Sequence, residues 1–173
     1  MKEKIEENIA ILRQGIELLH SIDDATYRQP VDVVFGSTLG GHFRHSLDHY
    51  VSFFNGLPGG CIDYEARVRD PAVESDRQAA IHLSETICRQ LAELPGGAGA
   101  SGLTVREEGS GIDNPRWSPS SQSRELEFLL SHTVHHHALA SVVCRLSGVE
   151  VGEDFGVAPS TLRHRRGGRL CAP

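Results

Sequence analysis

Between positions 3 and 22 the apolar residues Ile5, Ile9, Leu12, Ile16 and Leu19 recur at steps of three and four, separated mostly by charged and polar residues. That spacing lays one apolar stripe along a helix and predicts an amphipathic first helix. The turn-like DDATYRQP follows. Ser37 or Thr38 is then placed to cap a second helix running to about Asn55, with Phe43, Leu47, Tyr50, Val51 and Phe54 on its apolar side. Gly56, Leu57, Pro58 and a glycine pair stop it. A third helix is expected to begin after Pro71 and to carry Ala80, Ile81, Ile87, Leu91 and Leu94 as far as Pro95. The fourth, from about Ser123 to Leu146, is the most apolar of the set and contains LEFLL and ALASVVCRL.

Residues 95 to 122 are rich in Gly, Ser and Pro, with one short β-prone run, Leu103 to Val105, and the single Trp117. Long loops inside compact domains are uncommon, so this segment is either a lid or binding loop over a site or a plain connection. Four helices joined without convincing strands predict an all-α, four-helix-bundle domain. No internal repeat is evident. The 173 residues suit one domain, with 149–173 as an irregular C-terminal segment.

Composition narrows the function classes. With 39% hydrophobic and 23% charged residues the chain is ordinary for a globular protein, and no apolar run is long enough to span a bilayer. The first residues, MKEKIEENIAILRQ, lack the apolar core of a secretory signal, so a cytoplasmic location is expected. The formal net charge of −6 argues against nucleic acid as a partner. The basic run from Arg163 to Arg169 reads as a solvated tail. Cys61, Cys88, Cys144 and Cys171 show no CxxC spacing, so reduced, structural thiols are expected.

The histidines change the picture most. Seven of the ten fall in two windows, His42, His45 and His49 within GHFRHSLDHY and His132, His135, His136 and His137 within SHTVHHHALA. On a helix, His132 and His136 are one turn and roughly 40° apart, so both imidazoles can reach one point. His135 lies roughly 60° to the other side of His132, and His137 roughly 140° away. On the second helix any of His42, His45 and His49 is able to face that pair. Two ligands make an incomplete site and stable zinc sites use three or four, so a third imidazole from the second helix is the natural completion. Three neutral nitrogens with an open position make a catalytic type of centre, suited to activating water or a thiol. They favour zinc, nickel or a similar divalent ion over calcium or magnesium. With histidine pKa values near ~6.5, affinity for the metal is expected to fall steeply below that pH. The motif is not HExxH, because Thr133 follows His132.

In these motifs the chain resembles the DinB-like superfamily, metal-binding four-helix bundles that include the YfiT-like hydrolases and several bacterial thiol transferases. The family pattern has a histidine midway along the second helix, shortly before an acid, and an HxxxH pair on the last long helix. Here RHSLDH supplies His45 ahead of Asp48, and SHTVHHHAL supplies His132 and His136, over roughly residues 1 to 148. The resemblance implies an up-down-down-up bundle, a homodimer, and a metal held by His45, His132 and His136. Relatives that extend the pair to HxxxHxE have an acid where this chain has Ala138, and His132 stands where some mycothiol-dependent relatives use a glutamate ligand.

Two functions follow as expectations. One is a metal-dependent enzyme of the thiol S-transferase or hydrolase type, acting on a small-molecule substrate or low-molecular-weight thiol, with His49 and Asp48 as catalytic candidates that orient His45 or move a proton. The other is a non-catalytic, metal-stabilised stress or binding module.

Overall fold

The computed structural model describes residues 1–95, 102–111, 113–165 and 167. In chain order the elements are α1 (Lys2–Ser21), α2 (Asp24–Arg28), a 3-10 turn at Asp32–Val34, α3 (Leu39–Gly56), β1 (Cys61–Ile62), α4 (Pro71–Ser75), α5 (Arg77–Glu93), β2 (Leu103–Arg106), β3 (Trp117–Ser120), α6 (Gln122–Leu146) and α7 (Pro159–Arg165). The molecule is mainly helical with one small sheet. The four long helices pack in a closed circuit, α1 on α5 and α6, and α3 on α6 and α5. Among the described residues no helix is long and apolar enough to cross a membrane.

Short polar side chains set where the helices start. Thr38 accepts from the Gly41 amide at 2.9 Å, Asp23 from Thr26, Asp70 from Ala72 and Ser121 from Arg124, each satisfying a donor the first turn cannot. Asp76 explains why the single third helix expected after Pro71 is two. Its backbone is extended and its carboxylate captures the Gln78 amide, so α4 ends and α5 begins at the same residue.

The core is built from the inward faces of the four long helices and includes Leu12, Leu19, Leu47, Phe53, Ile87, Leu91, Leu126 and Leu129. On α1 the buried face is rotated from the predicted stripe: Ile9 and Ile16 are half-buried, whereas Asn8, Ile11, Gly15 and Leu18 are inside. Hydrophobic spacing cannot find the two that matter here. Asn8 is buried because its amide donates to the Leu126 carbonyl at 3.0 Å and its carbonyl accepts from the Tyr50 hydroxyl at 2.7 Å. Gly15 is buried because the His137 ring occupies the space a side chain would need, with a Cβ there meeting Nε2 at 3.0 Å.

The β-prone run Leu103 to Val105 is a strand, and the helices expected to be joined without convincing strands carry a small three-stranded sheet. Cys61–Ile62 pairs in parallel with Leu103–Arg106, which pairs antiparallel with Trp117–Ser120. Each strand has two to four residues, too few for alternation to show in sequence. Ile62 and Leu103 fasten the sheet to the core, and Arg106 ties it to the following loop through Asp63 at 2.9 Å and Glu65 at 3.3 Å. Fully buried Glu125 on α6 closes the assembly, accepting from Tyr64 at 2.8 Å and from the Ser120 hydroxyl.

Residues beyond 148 are not wholly irregular. Pro159 starts α7 in the position where its missing amide costs nothing, and Arg163 donates to Glu7 on α1 at 2.9 Å. Arg166 and Arg169 of the basic run, and Cys171, lie outside the described residues. Cys61, Cys88 and Cys144 are free thiols, the last pushed up to about 11 by burial.

Candidate metal centre

The α3–α6 seam fixes the histidines against one another. Ser46 donates to the Thr133 hydroxyl at 3.2 Å, and that oxygen lies 3.1 Å from the Tyr50 hydroxyl and donates to the Leu129 carbonyl at 2.7 Å. Ser46 follows His45 and Thr133 follows His132, so this buried contact sets the register that brings the two imidazoles together. Replacing Thr133 with Val keeps the shape and strands these partners. It is expected to cost about 1–3 kcal/mol in denaturant unfolding, the usual loss when a buried polar contact is broken on one side.

His45, His132 and His136 offer nitrogens that all lie within 4.8 Å of one another. Zinc bound at about 2.0–2.1 Å in a tetrahedron needs nitrogens about 3.3 Å apart, a closure that small side-chain rotations supply. His132 Nε2 is buried and makes no hydrogen bond among the described residues, so no protein partner competes for it. Burial above all, then the mutual repulsion of the cluster and nearby arginines, lowers the proton affinities to about 4 for His45 and His132 and about 2 for His136. All three are therefore neutral at pH 7, the form that coordinates. The donor set fits one divalent transition ion.

The other histidines take different parts. His42 Nδ1 is 3.2 Å from His136 Nδ1, so it steadies that ring from behind. His49 donates through Nδ1 to the His45 carbonyl at 2.8 Å and accepts at Nε2 from Arg67 at 3.0 Å. Because arginine only donates, Arg67 fixes the neutral Nδ1–H tautomer of His49. His135 is exposed. His137 points away from the triad and is buried, stacked on Phe155 with ring centres 4.8 Å apart. Asp48 is buried and takes a hydrogen bond from Arg44 at 2.9 Å, while Arg44 also holds Glu74. Burial raises its pKa against the opposing pull of Arg44.

Beside the triad opens a cavity of about 930 Å³, with His45, His49 and His132 on one wall and Val105 and Ser118 of the β2–β3 hairpin on another. The Gly/Ser-rich stretch thus contributes part of the wall. Tyr64 and Phe128, with ring centres 5.0 Å apart, give it an apolar side.

Comparison with known proteins adds one local similarity. FK506-binding protein 5 from Rhizopus delemar is 31% identical over 104 residues, which is 60% of this chain but 27% of that protein. The chain thus spans about a quarter of the length of that curated relative. No family model and no solved structure matches.

All of the histidines singled out on the two helices are therefore placed, and His45, His132 and His136 come together. Sequence reasoning missed Arg67, Tyr64, Phe128 and the Ser46–Thr133 contact. Arg67 had a faint signal in ARVRD, where Asp70 is taken up as the cap of α4 and leaves two arginines without an adjacent acid.

The lowered pKa values revise the expected acid sensitivity. The unfolded chain, with histidine near 6.5, takes up protons that the folded chain refuses until about pH 4. Stability from these half-buried neutral rings is therefore complete above about pH 6.5 and lost as pH falls toward 4. Metal-free protein is expected to melt progressively lower across that window. Protons compete with a metal in the folded site only near the bottom of it, so the melting gap between metal-loaded and stripped protein should persist from pH 7 to 5. A gap that closes near pH 6.5 would show that the ligands titrate as exposed imidazoles.

Proposed function

We propose that this chain is a metal-dependent enzyme of the DinB-like type, a thiol S-transferase or hydrolase holding one zinc or nickel ion between His45, His132 and His136. The observation that carries the reading is the convergence of three neutral imidazoles from two helices, two of which, His45 and His132, line a cavity large enough for a small molecule. The proposal includes an up-down-down-up four-helix topology and a homodimer, which rest on the resemblance in RHSLDH and SHTVHHHAL.

A metal bound there would supply a Lewis acid for a thiol or for the carbonyl of an ester. The chain's own residues do the rest. His42 and His49 hold the ligand-bearing segments in place, the first through the His136 ring and the second through the His45 carbonyl. Arg67 occupies the basic nitrogen of His49, so His49 accepts a proton only when Arg67 moves off it. Asp48, engaged by Arg44, stiffens α3 next to His49 and is a positioning group. Tyr64 and Phe128 exclude water from the side of the cavity facing His49 and His132.

The test is conjugation of a small thiol with an activated aryl halide, and hydrolysis of an activated aryl ester, by metal-loaded and chelator-stripped protein. One of the two reactions should proceed with the loaded protein, fall to background on stripping and fail in His132→Ala. Turnover that survives both treatments would contradict the proposal. Absence of both reactions in fully loaded protein would favour the non-catalytic metal-stabilised module.

A further inference from the structure

The cavity beside the histidines is bordered by four arginines whose charges are not equally satisfied. Arg106 is paired with Asp63 and Glu65, and Arg124 with Glu125. Among the described residues no carboxylate stands within ion-pair distance of Arg67 or Arg69. Arg67 spends one donor, Nη1, on a neutral imidazole, and the Asp48 carboxylate offsets its charge only from beyond ion-pair distance. Its Nε is buried and has no hydrogen-bond partner. The acids nearby are partly occupied: Glu65 serves Arg106 and the Gly109 amide, Glu107 serves Arg116 and Ser118, and Asp48 is held by Arg44, so that Asp48 and Glu108 act on Arg67 only at longer range.

Nε and Nη2 form the side edge of the guanidinium, two parallel donors that match the two oxygens of one carboxylate. We propose that this cavity takes a small monocarboxylate, its carboxylate docked on Arg67 with Arg69 adding charge, and its apolar body against Tyr64 and Phe128. Arg67 contacts His49 and acts on His45 and His132, so such a ligand sits beside the triad. The three glutamates on the same walls disfavour a dianion such as phosphate. The proposal gives the substrate class for the function above, and it rests on that reading only for which end of the ligand reacts.

The probe is benzoate, with benzamide as its neutral counterpart, titrated calorimetrically into metal-loaded and chelator-stripped protein. Benzoate should bind about tenfold or more tightly than benzamide in both forms, because the docking group belongs to the chain. Arg67→Gln should bring the ratio close to one, Arg69→Gln should reduce it in part, and Arg89→Gln, on the exposed side of α5, should leave it unchanged. Melting curves establish that each variant is folded. Equal binding of the two probes, no benzoate binding at millimolar concentration, or a ratio untouched by Arg67→Gln would overturn the proposal. So would a preference present only in loaded protein, which would assign the carboxylate to the metal, or inorganic phosphate binding more tightly than benzoate. Failure of the metal centre itself reads out separately, as protein that takes up no metal whatever its response to benzoate.

Discussion

Alanine at His45, His132 or His136 is expected to weaken zinc or nickel binding by more than about 100-fold, beyond the roughly 10–100-fold that follows from altering a ligand's neighbours. Each of the three removes one of only three nitrogens, and the nitrogens come from two different helices, so the remaining pair cannot re-form the site from one turn. His42→Ala and His49→Ala are expected within the smaller range, because His42 touches the His136 ring and His49 holds the His45 carbonyl without offering a free nitrogen to the centre. His137→Ala should leave metal affinity unchanged and lower stability instead, since its ring fills space between Phe43, Phe155 and Gly15. Competition against a chromophoric chelator measures all six. A loss at His42 equal to that at His45 would mean that a fourth imidazole completes the centre.

Gly40→Ala is expected to destabilise the fold by about 3 kcal/mol or more, in the class of severe overpacking. A Cβ at this position would sit 1.9 Å from the backbone oxygen of Glu74 and 3.1 Å from the Tyr27 ring. Neither neighbour yields easily. Glu74 belongs to α4, and Tyr27 is fully buried with its hydroxyl donated to the Val73 carbonyl at 2.6 Å. Relief requires α4 to move off the start of α3, which also pulls Glu74 from Arg44 and loosens the grip of Arg44 on Asp48. Gly59→Ala is the matched control, because its Cβ would meet nothing closer than 3.9 Å. The difference between the two in denaturant midpoint measures the close approach of α4 to α3.

What was legible in the sequence follows the reach of each signal. Apolar periodicity located the four long helices because each runs for many turns. Of the two cap candidates for the second, Ser37 and Thr38, the structure uses Thr38, and the fourth starts one residue before the expected Ser123, capped by Ser121. It failed at Asn8, where a polar residue is buried by hydrogen bonds, and at Asp76, where a single capping carboxylate divides a helix in two. Of the sheet only β2 left a trace, the β-prone run Leu103 to Val105, because strands of two to four residues are too short for alternation to show. Helical phase singled out His132 and His136 but left the three histidines of α3 equivalent; the resemblance pointed to His45, and the Ser46–Thr133 contact is what brings His45 beside the pair. The lowered proton affinities depend on burial, which spacing does not report.

The central claim is a single metal held by three imidazoles from α3 and α6. X-ray absorption on protein loaded with one equivalent of zinc or nickel tests it most directly, with metal content measured on the same sample. About one ion per chain is expected, with an inner shell dominated by about three imidazole nitrogens at roughly 2.0–2.1 Å for zinc, one of which disappears in His45→Ala. Binding far below one ion per chain, or a shell of oxygen or sulfur unchanged by His45→Ala, would contradict it.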